Sequence, residues 1–570
     1  MSESPTANSE KPSTSVAARV GWAVLILATL YVCYFSHLGA IGFVGPDEPR
    51  YAWIARAMTE TGDWVTPRLY GLPWFEKPPL YYWGAALSFK LFGVSEAAAR
   101  LPSALSALFA TLALAWLALR MYGAETARWL LLLLPTTVGM IGFSHAAASD
   151  MPFSGMLTIA IVCAAVALRL VPATEDRASP NSANSPTPWT ALILFGFFLG
   201  LAVLAKGPAG IILCGGAVFF WAIFTKRWRD AFRLLHPAAI AAFCITALPW
   251  YILCARRNPD FFRVFIIEHN FKRYLTPEFQ HIQPFWYYVP VTLVTFLPWT
   301  GAVLWASAAG VAQISQTKRL RTDTAFLFSW ILFVMLFFTL SKSKLPGYVL
   351  PAVPALALIL ARACTTLATD RRRLFGATIA ASALLYFGVS QLGYRTFTHV
   401  STSTQLLKYA VIFLLVLFGI SNTILAVSYL CGATRRMRNL VGSFAVVPVL
   451  FAFLITNDLG SAPLQISART LASQLWAHRV PPDHLFVYHG MSRSFRYGLS
   501  FYLHQDLPDW SEKSNADVYV ISGSLDCSHL EMRGFNCVRV LLSSSAGDWF
   551  VSHLTPTNSP PGPASSRQPQ

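Results

Sequence analysis

Long apolar runs recur along this chain, and they constrain its fold more than any other feature. Runs of about 17–25 apolar residues match the length that a helix needs to cross about 30 Å of hydrocarbon. Only 12% of the residues are charged, against about 25% in soluble proteins. We therefore predict an all-α polytopic membrane protein of about thirteen spans. The predicted spans lie near 20–43, 98–119, 127–145, 151–170, 188–205, 208–225, 235–255, 286–307, 325–341, 346–365, 374–391, 405–430 and 440–457.

Five short loops are rich in lysine and arginine, and they set the predicted orientation. With the spans above, all five fall on the side of the N-terminus, which the positive-inside rule makes cytoplasmic. The same bias explains the net charge of +17 without a nucleic-acid partner. The basic residues are Arg120 and Arg128; Lys226, Arg227, Arg229 and Arg233; Lys318, Arg319 and Arg321; Arg371, Arg372 and Arg373; and Arg435, Arg436 and Arg438.

The composition divides the chain into four predicted parts. Residues 1–17 are rich in Ser, Thr and Pro, which predicts a disordered cytoplasmic N-terminus. Residues 18–457 form the transmembrane domain. Residues 458–554 form a small outer α/β domain, and residues 555–570 form a disordered tail.

Local patterns refine the two outward-facing parts. Within the first outer loop, residues 50–60 and 80–92 have helical spacing, which predicts two interfacial helices. In the outer domain, 484–490, 516–523 and 537–544 are predicted strands. Cys527 and Cys537 lie in the same domain, where a disulfide and two free thiols are both open.

Ionisable residues at the outer ends of the spans are the candidate functional groups. Such groups are costly near a membrane unless they are paired or face a wet cavity. Acids, an arginine and several lysines would then converge on one membrane face. These residues are Asp47, Glu48, Arg50, Glu76, Lys77, Asp150, Lys206, Glu268, His269, Lys272, Arg273, Lys342 and Lys344, with Tyr348 nearby.

Each group also has a structural alternative. Asp47 and Glu48 could cap a helix that starts near Pro49. Lys77 could extend along the membrane interface, and His269 could be a hydrogen-bonded structural residue. The lysines at 342 and 344 could anchor the end of a span.

The combined set of groups suits a lipid-linked sugar phosphate. Lysine and arginine would hold the phosphate and stabilise its charge as it leaves. A carboxylate near the sugar could deprotonate an acceptor hydroxyl. No glycine loop for a soluble nucleotide is present in the sequence.

Four motifs carry a family resemblance. "DEPRYAWIARAM", "WFEKPPLYYWGAALSFKLFGVSEAAARLPSAL", "LAKGP" and "SKSKLPGYVLPAVPALAL" occur in this order. The sequence resembles the bacterial aminoarabinose transferases, which are related to the protein O-mannosyltransferases within the GT-C glycosyltransferases. The resemblance implies a GT-C fold with about thirteen helices, a periplasmic cavity and a periplasmic C-terminal domain. It also implies a bacterial inner-membrane location and an undecaprenyl-phosphate-linked sugar donor.

The resemblance also implies roles for individual residues. Asp47 matches the essential acid, and Arg50, Lys77 and Tyr348 match positions near the donor phosphate. Glu76 and His269 match positions that hold a divalent metal, Zn²⁺, in one branch. The resemblance does not make a cofactor a requirement of the reaction. The expected catalytic residues are Asp47, Lys77 and Asp150, and the expected substrate-binding residues are Glu48, Arg50, Tyr51, Tyr81, Lys206, Lys342, Lys344 and Tyr348.

The predicted function is transfer of a sugar from undecaprenyl phosphate to an envelope acceptor at the periplasmic face. The sugar resembles 4-amino-4-deoxy-L-arabinose or is another pentose or hexose. Lipid A is the first expectation for the acceptor, and a protein Ser or Thr, as in O-mannosyltransferases, is an alternative. A flippase of lipid-linked precursors and a non-enzymatic sensor are the other hypotheses.

Overall fold

The computed structural model describes most of the membrane domain and parts of the outer domain. The described residues are 16–171, 188–275, 282–317, 321–367, 371–396, 402–431, 434–460, 467–488, 491–510, 517–522, 535–543 and 549–556. The predictions for 1–15, for 557–570 and for Cys527 lie outside these ranges. Cys537 is described and is disulfide-bonded.

The described residues are mainly helical, as the apolar runs predict. The α-helices are α1 Val16–Tyr34, α2 Asp47–Thr61, α3 Leu80–Phe92, α4 Glu96–Tyr122, α5 Ala124–Leu133, α6 Val138–Ser144, α7 Asp150–Ala167, α8 Trp189–Lys206, α9 Ala209–Thr225, α10 Trp228–Phe232, α11 Pro237–Arg257, α12 Arg273–Leu275, α13 Tyr288–Thr295, α14 Thr300–Thr317, α15 Thr322–Leu340, α16 Val353–Arg362, α17 Arg372–Thr396, α18 Thr402–Leu430, α19 Arg435–Ser443, α20 Val447–Gly460, α21 Arg469–Ala477 and α22 Arg493–Leu503. Two π-helical segments, Arg263–Lys272 and Ala363–Leu367, and 3₁₀ turns such as Pro346–Ala352 complete the helical part.

Several helices are long and apolar enough to cross a membrane. Within the described ranges there are 10 such helices, or up to 12 if each of two bent pairs forms one span. Helix α9 is apolar but slightly shorter. The chain is therefore a multi-pass membrane protein, and the count of thirteen stays a prediction. The helices expected over 50–60 and 80–92 are present as α2 and α3.

Two predicted spans are broken rather than continuous, which corrects the sequence prediction. The span expected over 127–145 consists of α5 and α6, which meet at 64°. The span expected over 286–307 consists of a segment from Phe285 to Thr295 and the start of α14, which meet at 120°. Pro135 and Pro298 lie in the two breaks. Proline has no N–H to donate and clashes with the preceding turn, so each helix ends there.

The helix bundle has two chemically different ends. At one end, which we call the basic end, Arg362 pairs with Asp323 and Arg435 pairs with Glu125. The opposite end carries Asp47 and Asp150 at the starts of α2 and α7. Helix α7 lies in the centre, and nearly all of its residues are buried. A helix that is apolar on all sides is stable only where it is surrounded, and α7 thus fixes the position of Asp150.

The outer domain contains a four-stranded sheet. The strands are β3 Leu485–Val487, β4 Val518–Ser522, β5 Phe535–Ser543 and β6 Trp549–Pro556, after a two-stranded hairpin of β1 Arg68–Leu69 and β2 Leu72–Pro73. The sheet order is β3-β4-β6-β5, with β3 parallel to β4 and the other pairs antiparallel. Strands β3, β4 and β5 agree with the prediction. Strand β6 was not predicted, yet it occupies an inner position of the sheet.

The outer domain packs against helix α2. Arg56 of α2 donates to the carbonyl of Phe501 over 2.9 Å, and Trp53 Nε1 donates to Asp506 Oδ1 over 3.0 Å. Tyr502 donates to Glu96 Oε1 over 2.9 Å. The two domains therefore hold α2 between them, and this fixes the helix whose N-terminus carries Asp47.

Candidate active site

The N-terminus of α2 presents Asp47 to solvent. The residue before the helix is Pro46, which makes no side-chain cap bond. Asp47 therefore lies in the first turn, where the positive end of the helix dipole favours an acid. Its side chain is 57% exposed, and its Oδ1 accepts a hydrogen bond from Arg50 Nη2 over 2.6 Å. The carboxylate is thus anchored on one side and open on the other.

Arg50 connects Asp47 to a second carboxylate. Its Nη2 lies 3.0 Å from Glu76 Oε2 as well as 2.6 Å from Asp47 Oδ1. The guanidinium also lies over the rings of Tyr51 and Trp74, at 5.1 and 5.6 Å from their centroids. Burial would lower the pKa of Arg50, but the carboxylates of Glu76 and Asp47 raise it above its ordinary value. Arg50 therefore stays charged and holds the two acids in register.

Lys77 extends this network into a cavity. Its Nζ lies 3.2 Å from Glu76 Oε1, so Asp47, Arg50, Glu76 and Lys77 form one continuous chain of ionic contacts. The turn before α3 carries Glu76 and Lys77 and is followed by Pro78 and Pro79. Because proline restricts the backbone of the residue before it, Pro78 limits the backbone conformation of Lys77.

A cavity of ≈ 340 Å³ lies beside this network, and we call it the polar cavity. It brings together side chains from the turn before α3, the ends of α8 and α9 that face each other, the π-helical segment Arg263–Lys272 with α12, and the end of α15 with the loop after it. Lys77, Lys206 and Tyr348, which the sequence analysis predicts as site residues, therefore lie around one cavity. The lining residues are Glu76, Lys77, Lys206, Pro208, Ala209, Ile212, His269, Tyr274, Leu275, Phe337, Phe338, Ser341 and Tyr348.

Asp150 and Lys206 form a second ion pair at the cavity. Lys206 Nζ lies 2.5 Å from Asp150 Oδ1 and 4.9 Å from the ring centroid of Tyr348. Tyr348 in turn stacks on Phe338, with 4.7 Å between ring centroids. Gly347 lets the chain pass close to Asp150, because a Cβ there would lie 3.1 Å from Asp150 Oδ1. Asp150 thus positions the Lys206 ammonium against the cavity wall.

The two lysines after α15 lie apart from the cavity lining. Lys344 is 8% exposed and donates to the carbonyl of Ser341 over 2.8 Å. Burial, followed by the charge of Lys342, lowers the pKa of Lys344. The side chain of Lys342 is exposed, and its backbone N–H donates to Tyr274. Lys344 therefore shapes the loop that carries Ser341, and the substrate-binding predictions for both lysines gain no support from this placement.

Glu48 and Tyr81 point into the protein core rather than into the polar cavity. Glu48 accepts from Arg100 Nε over 3.0 Å, from Arg100 Nη2 over 2.9 Å and from the backbone N–H of Ala147 over 2.7 Å. Tyr81 is 1% exposed and donates to the carbonyl of Ala99. Adjacent residues on a helix diverge by about 100°, which turns Glu48 away from Asp47. In this structure both side chains support the site, and their predicted role in substrate binding stays a prediction.

The zinc prediction for Glu76 and His269 finds no third ligand among the described residues, and it stays a prediction. Both side chains line the polar cavity. Within the described residues, however, no group of three or more His, Cys, Asp or Glu side chains could hold a metal ion. Glu76 is already paired with Arg50 and Lys77, and two cations on one carboxylate oppose a divalent ion there. No step below depends on a metal.

The sequence prediction missed three polar side chains around Arg50 and the cavity, namely Trp74, Tyr82 and Tyr274. Trp74 and Tyr82 have a buried Nε1 and a buried hydroxyl, and in the described part of the structure neither atom has a hydrogen-bond partner. Arg50 Nε is in the same state. Tyr274 lines the cavity and donates to the carbonyl of Phe337. The motif "WFEKPPLYYW" already contained Trp74 and Tyr82, and its density of aromatic residues was the available signal.

Sequence comparison finds related proteins along much of the chain. A family model described as dolichyl-phosphate-mannose-protein mannosyltransferase matches residues 16–265. An undecaprenyl phosphate-alpha-4-amino-4-deoxy-L-arabinose arabinosyl transferase from Enterobacter is 30% identical over 375 residues, which cover 64% of this chain and 65% of the relative. A protein of the same description, numbered 2, from Sodalis glossinidius is 34% identical over 351 residues, 61% of this chain and 60% of the relative. The matches thus span less than two thirds of these relatives.

Structural comparison extends the likeness to nearly the whole chain. The crystal structure of ArnT from Cupriavidus metallidurans bound to undecaprenyl phosphate is 23% identical, covers 94% of this chain and 98% of that one, and gives a TM-score of 0.76. The oligosaccharyltransferase of Archaeoglobus fulgidus is 12% identical, covers 90% and 70% of the two chains, and gives 0.50. The structural likenesses confirm the predicted fold class, and the sequence relatives agree with the predicted resemblance to the aminoarabinose transferases.

Proposed function

We propose that this chain, an ArnT-like protein with a GT-C fold, is a membrane glycosyltransferase that moves a sugar from a polyprenyl phosphate to an envelope acceptor. The observation that carries the proposal is the meeting of two ion-pair networks at the polar cavity. Asp47, Arg50, Glu76 and Lys77 form one network, and Asp150 with Lys206 forms the other. The cavity lies at the end of the bundle opposite the basic end. We assign the basic end to the cytoplasmic side, and the cavity end to the periplasmic side, of a bacterial inner membrane.

The donor phosphate fits the cationic wall of the cavity. Lys77 and Lys206 present two ammonium groups to the same space, and ammonium groups bind phosphate as point charges. In the reaction, the bond between the anomeric carbon and the phosphate oxygen breaks, and its electron pair stays on the polyprenyl phosphate. Lys77 and Lys206 would stabilise this added negative charge. The apolar part of the wall, including Ile212, Phe337 and Phe338, would contact the polyprenyl chain.

Asp47 is placed to act on the acceptor. An acceptor hydroxyl forms a bond to the anomeric carbon and gives its proton to a base, and a half-open carboxylate suits this role. If the acceptor is a phosphate oxygen, little deprotonation is needed, and Asp47 orients the acceptor instead. Arg50 holds Asp47 in either case. The unpartnered Nε of Arg50, the Nε1 of Trp74 and the hydroxyl of Tyr82 offer donors for sugar oxygens.

The acceptor class is the part of the proposal with two candidates. The arabinosyl transferase relatives favour a 4-amino-4-deoxy-L-arabinose-like sugar, and we keep lipid A as the first candidate acceptor. The mannosyltransferase model over 16–265 favours a protein acceptor, for which we keep Ser or Thr as the candidate residues. Mass spectrometry of lipid A and of envelope proteins, with and without the gene, distinguishes the two candidates by which one gains the sugar.

Turnover of a labelled donor tests the proposed chemistry. The full chain in nanodiscs is supplied with labelled polyprenyl-phosphate sugar and with lipid A or an acceptor peptide. Asp47→Asn should reduce transfer by about 10²–10⁴-fold if Asp47 is the base. Glu60→Gln is the matched control, because Glu60 is a half-exposed acid of the same helix that pairs with Arg56 over 2.6 Å, remote from the cavity lining. Unchanged transfer by Asp47→Asn would remove Asp47 from the mechanism.

A further inference from the structure

A second polar cavity lies at the basic end of the bundle, on the side opposite the proposed active site. It has a volume of ≈ 210 Å³ and is lined by residues of α1, α5 and α19. We call it the basic-end cavity. Three arginines from these three helices, Arg19, Arg128 and Arg436, meet there. Nothing in the glycosyl-transfer proposal uses this cavity.

The charges in the basic-end cavity are unbalanced. Within the described residues, none of the three arginines forms an ion pair with a carboxylate. Glu125 also lines the cavity, but it lies 2.6 Å from Arg435 Nη2 and accepts from Asn439. Its charge is therefore neutralised by a fourth arginine outside the lining. Three guanidinium groups therefore line the cavity without a carboxylate partner in the described residues, the half-buried Arg128 and the exposed Arg19 and Arg436.

A buried donor in the same cavity provides an independent indication of a ligand. Trp129 is 1% exposed and lines the cavity, yet its Nε1–H has no hydrogen-bond partner in the described part of the structure. A buried donor without a partner has lost the hydrogen bond that it makes in water, and a ligand oxygen within its reach would restore one. Gly442 packs against the Trp129 ring, because a Cβ there would lie 3.0 Å from Cη2. The indole is therefore held in place.

We propose that the basic-end cavity binds a phosphate group, which we assign first to the head group of an anionic membrane lipid. Guanidinium groups bind phosphate oxygens in pairs of parallel hydrogen bonds, and Trp129 adds a neutral donor. On a different face of α1 from the cavity-lining Arg19 and Trp22, Val20, Val24 and Leu27 are exposed by 56%, 60% and 66%, so the helix that borders the cavity also offers a surface for acyl chains. Basic pockets between membrane helices at the cytoplasmic side bind such head groups. Free phosphate offers the same chemistry.

Lipid retention by the full chain tests this site. In phosphatidylcholine nanodiscs, added phosphatidylglycerol should bind and be counted by native mass spectrometry. The double variant Arg128→Gln/Arg436→Gln should weaken this binding about tenfold or more, and Trp129→Phe, which keeps the ring, should weaken it by a smaller factor. Arg229→Gln is the control, because Arg229 is an exposed cation of α10 outside the cavity lining.

The possible outcomes separate the two sources of phosphate. Specific retention of phosphatidylglycerol supports the lipid head group. A thermal stabilisation by inorganic phosphate alone, lost in the double variant, supports a site for free phosphate. The proposal is overturned if neither probe binds, if the double variant and Trp129→Phe both retain wild-type binding, or if Arg229→Gln weakens binding as much as the double variant does.

Discussion

Replacing Glu48 by glutamine tests whether this acid supports the fold or touches the substrate. Glu48 and Arg100 have side chains that are 11% and 5% exposed, and both oxygens of Glu48 accept from Arg100. The same oxygens accept from the backbone N–H groups of Ala147 and Val44. A glutamine amide can replace one of these oxygens, but its NH₂ group would face donors at the other position.

The structure sets the expected size of this effect. Breaking a buried ion pair by changing one partner costs about 3–5 kcal/mol, because the other charge stays buried without compensation. Glu48→Gln should therefore lower the melting temperature of the purified protein by roughly 10 °C. Arg100 also donates to the carbonyls of Leu38 and Ile41 over 2.8 and 2.7 Å. These bonds tie the connection between α1 and α2 to α4, so part of the loss should appear as loosening of this connection.

Thermal unfolding in detergent, followed by intrinsic fluorescence, measures the loss. Glu60→Gln is the control for removing an exposed ion pair of α2, which is worth about 0–1 kcal/mol. The single variants Glu48→Gln and Arg100→Gln and their double variant form a cycle, and the double variant should be less destabilised than the sum of the two. The reasoning is refuted if Glu48→Gln melts like the wild type while its sugar transfer is abolished.

Two further predictions follow from particular contacts. Burial and the Arg56 guanidinium lower the pKa of His504 in the folded protein. As the pH falls towards about 6.5, the ordinary pKa of histidine, His504 therefore binds a proton more readily in the unfolded chain than in the folded one. Stability should therefore decrease between about pH 7.5 and 5.5, by less in His504→Gln, and an equal decrease in both proteins would contradict this. Gly347→Ala would place a Cβ 3.0 Å from Phe143 Cε1 and 3.1 Å from Asp150, and transfer should fall about tenfold or more, whereas Gly142→Ala, with nothing within 4 Å, should leave transfer unchanged.

The local motifs were sufficient to predict one part of the site. Asp47 and Arg50 lie three residues apart on one helix, and this spacing places them on one face. Lys77 lies in a proline-bounded turn directly before another predicted helix. These features depend on neighbours in the sequence, so composition and spacing carried the information.

Other parts depend on contacts between distant segments, which the sequence did not specify. The pairing of Asp150 with Lys206 joins α7 to α8 across 56 positions. The sequence around either residue does not identify the other as its partner. Glu48 shows the same difficulty in reverse. It stands beside Asp47 in the motif, but its partner Arg100 lies 52 residues away, so only the fold could show that Glu48 faces the core.

The differences in the fold have similar physical causes. The apolar runs at 127–145 and 286–307 have the length of a span, and hydrophobicity alone does not show the breaks at Pro135 and Pro298. Strand β6 pairs with β4 on one side and β5 on the other. Its sequence, "WFVSHLTP", alternates only weakly, and a strand in an inner position depends on non-local pairing.

A structure determined with undecaprenyl phosphate added to the full chain tests the central claim most directly. The claim is that cations from separate parts of the sequence hold a polyprenyl phosphate in the polar cavity. We predict phosphate density within about 4 Å of the Nζ atoms of Lys77 and Lys206, with the polyprenyl chain along Phe337 and Phe338. Phosphate density elsewhere on the protein, with the polar cavity empty, would contradict the account.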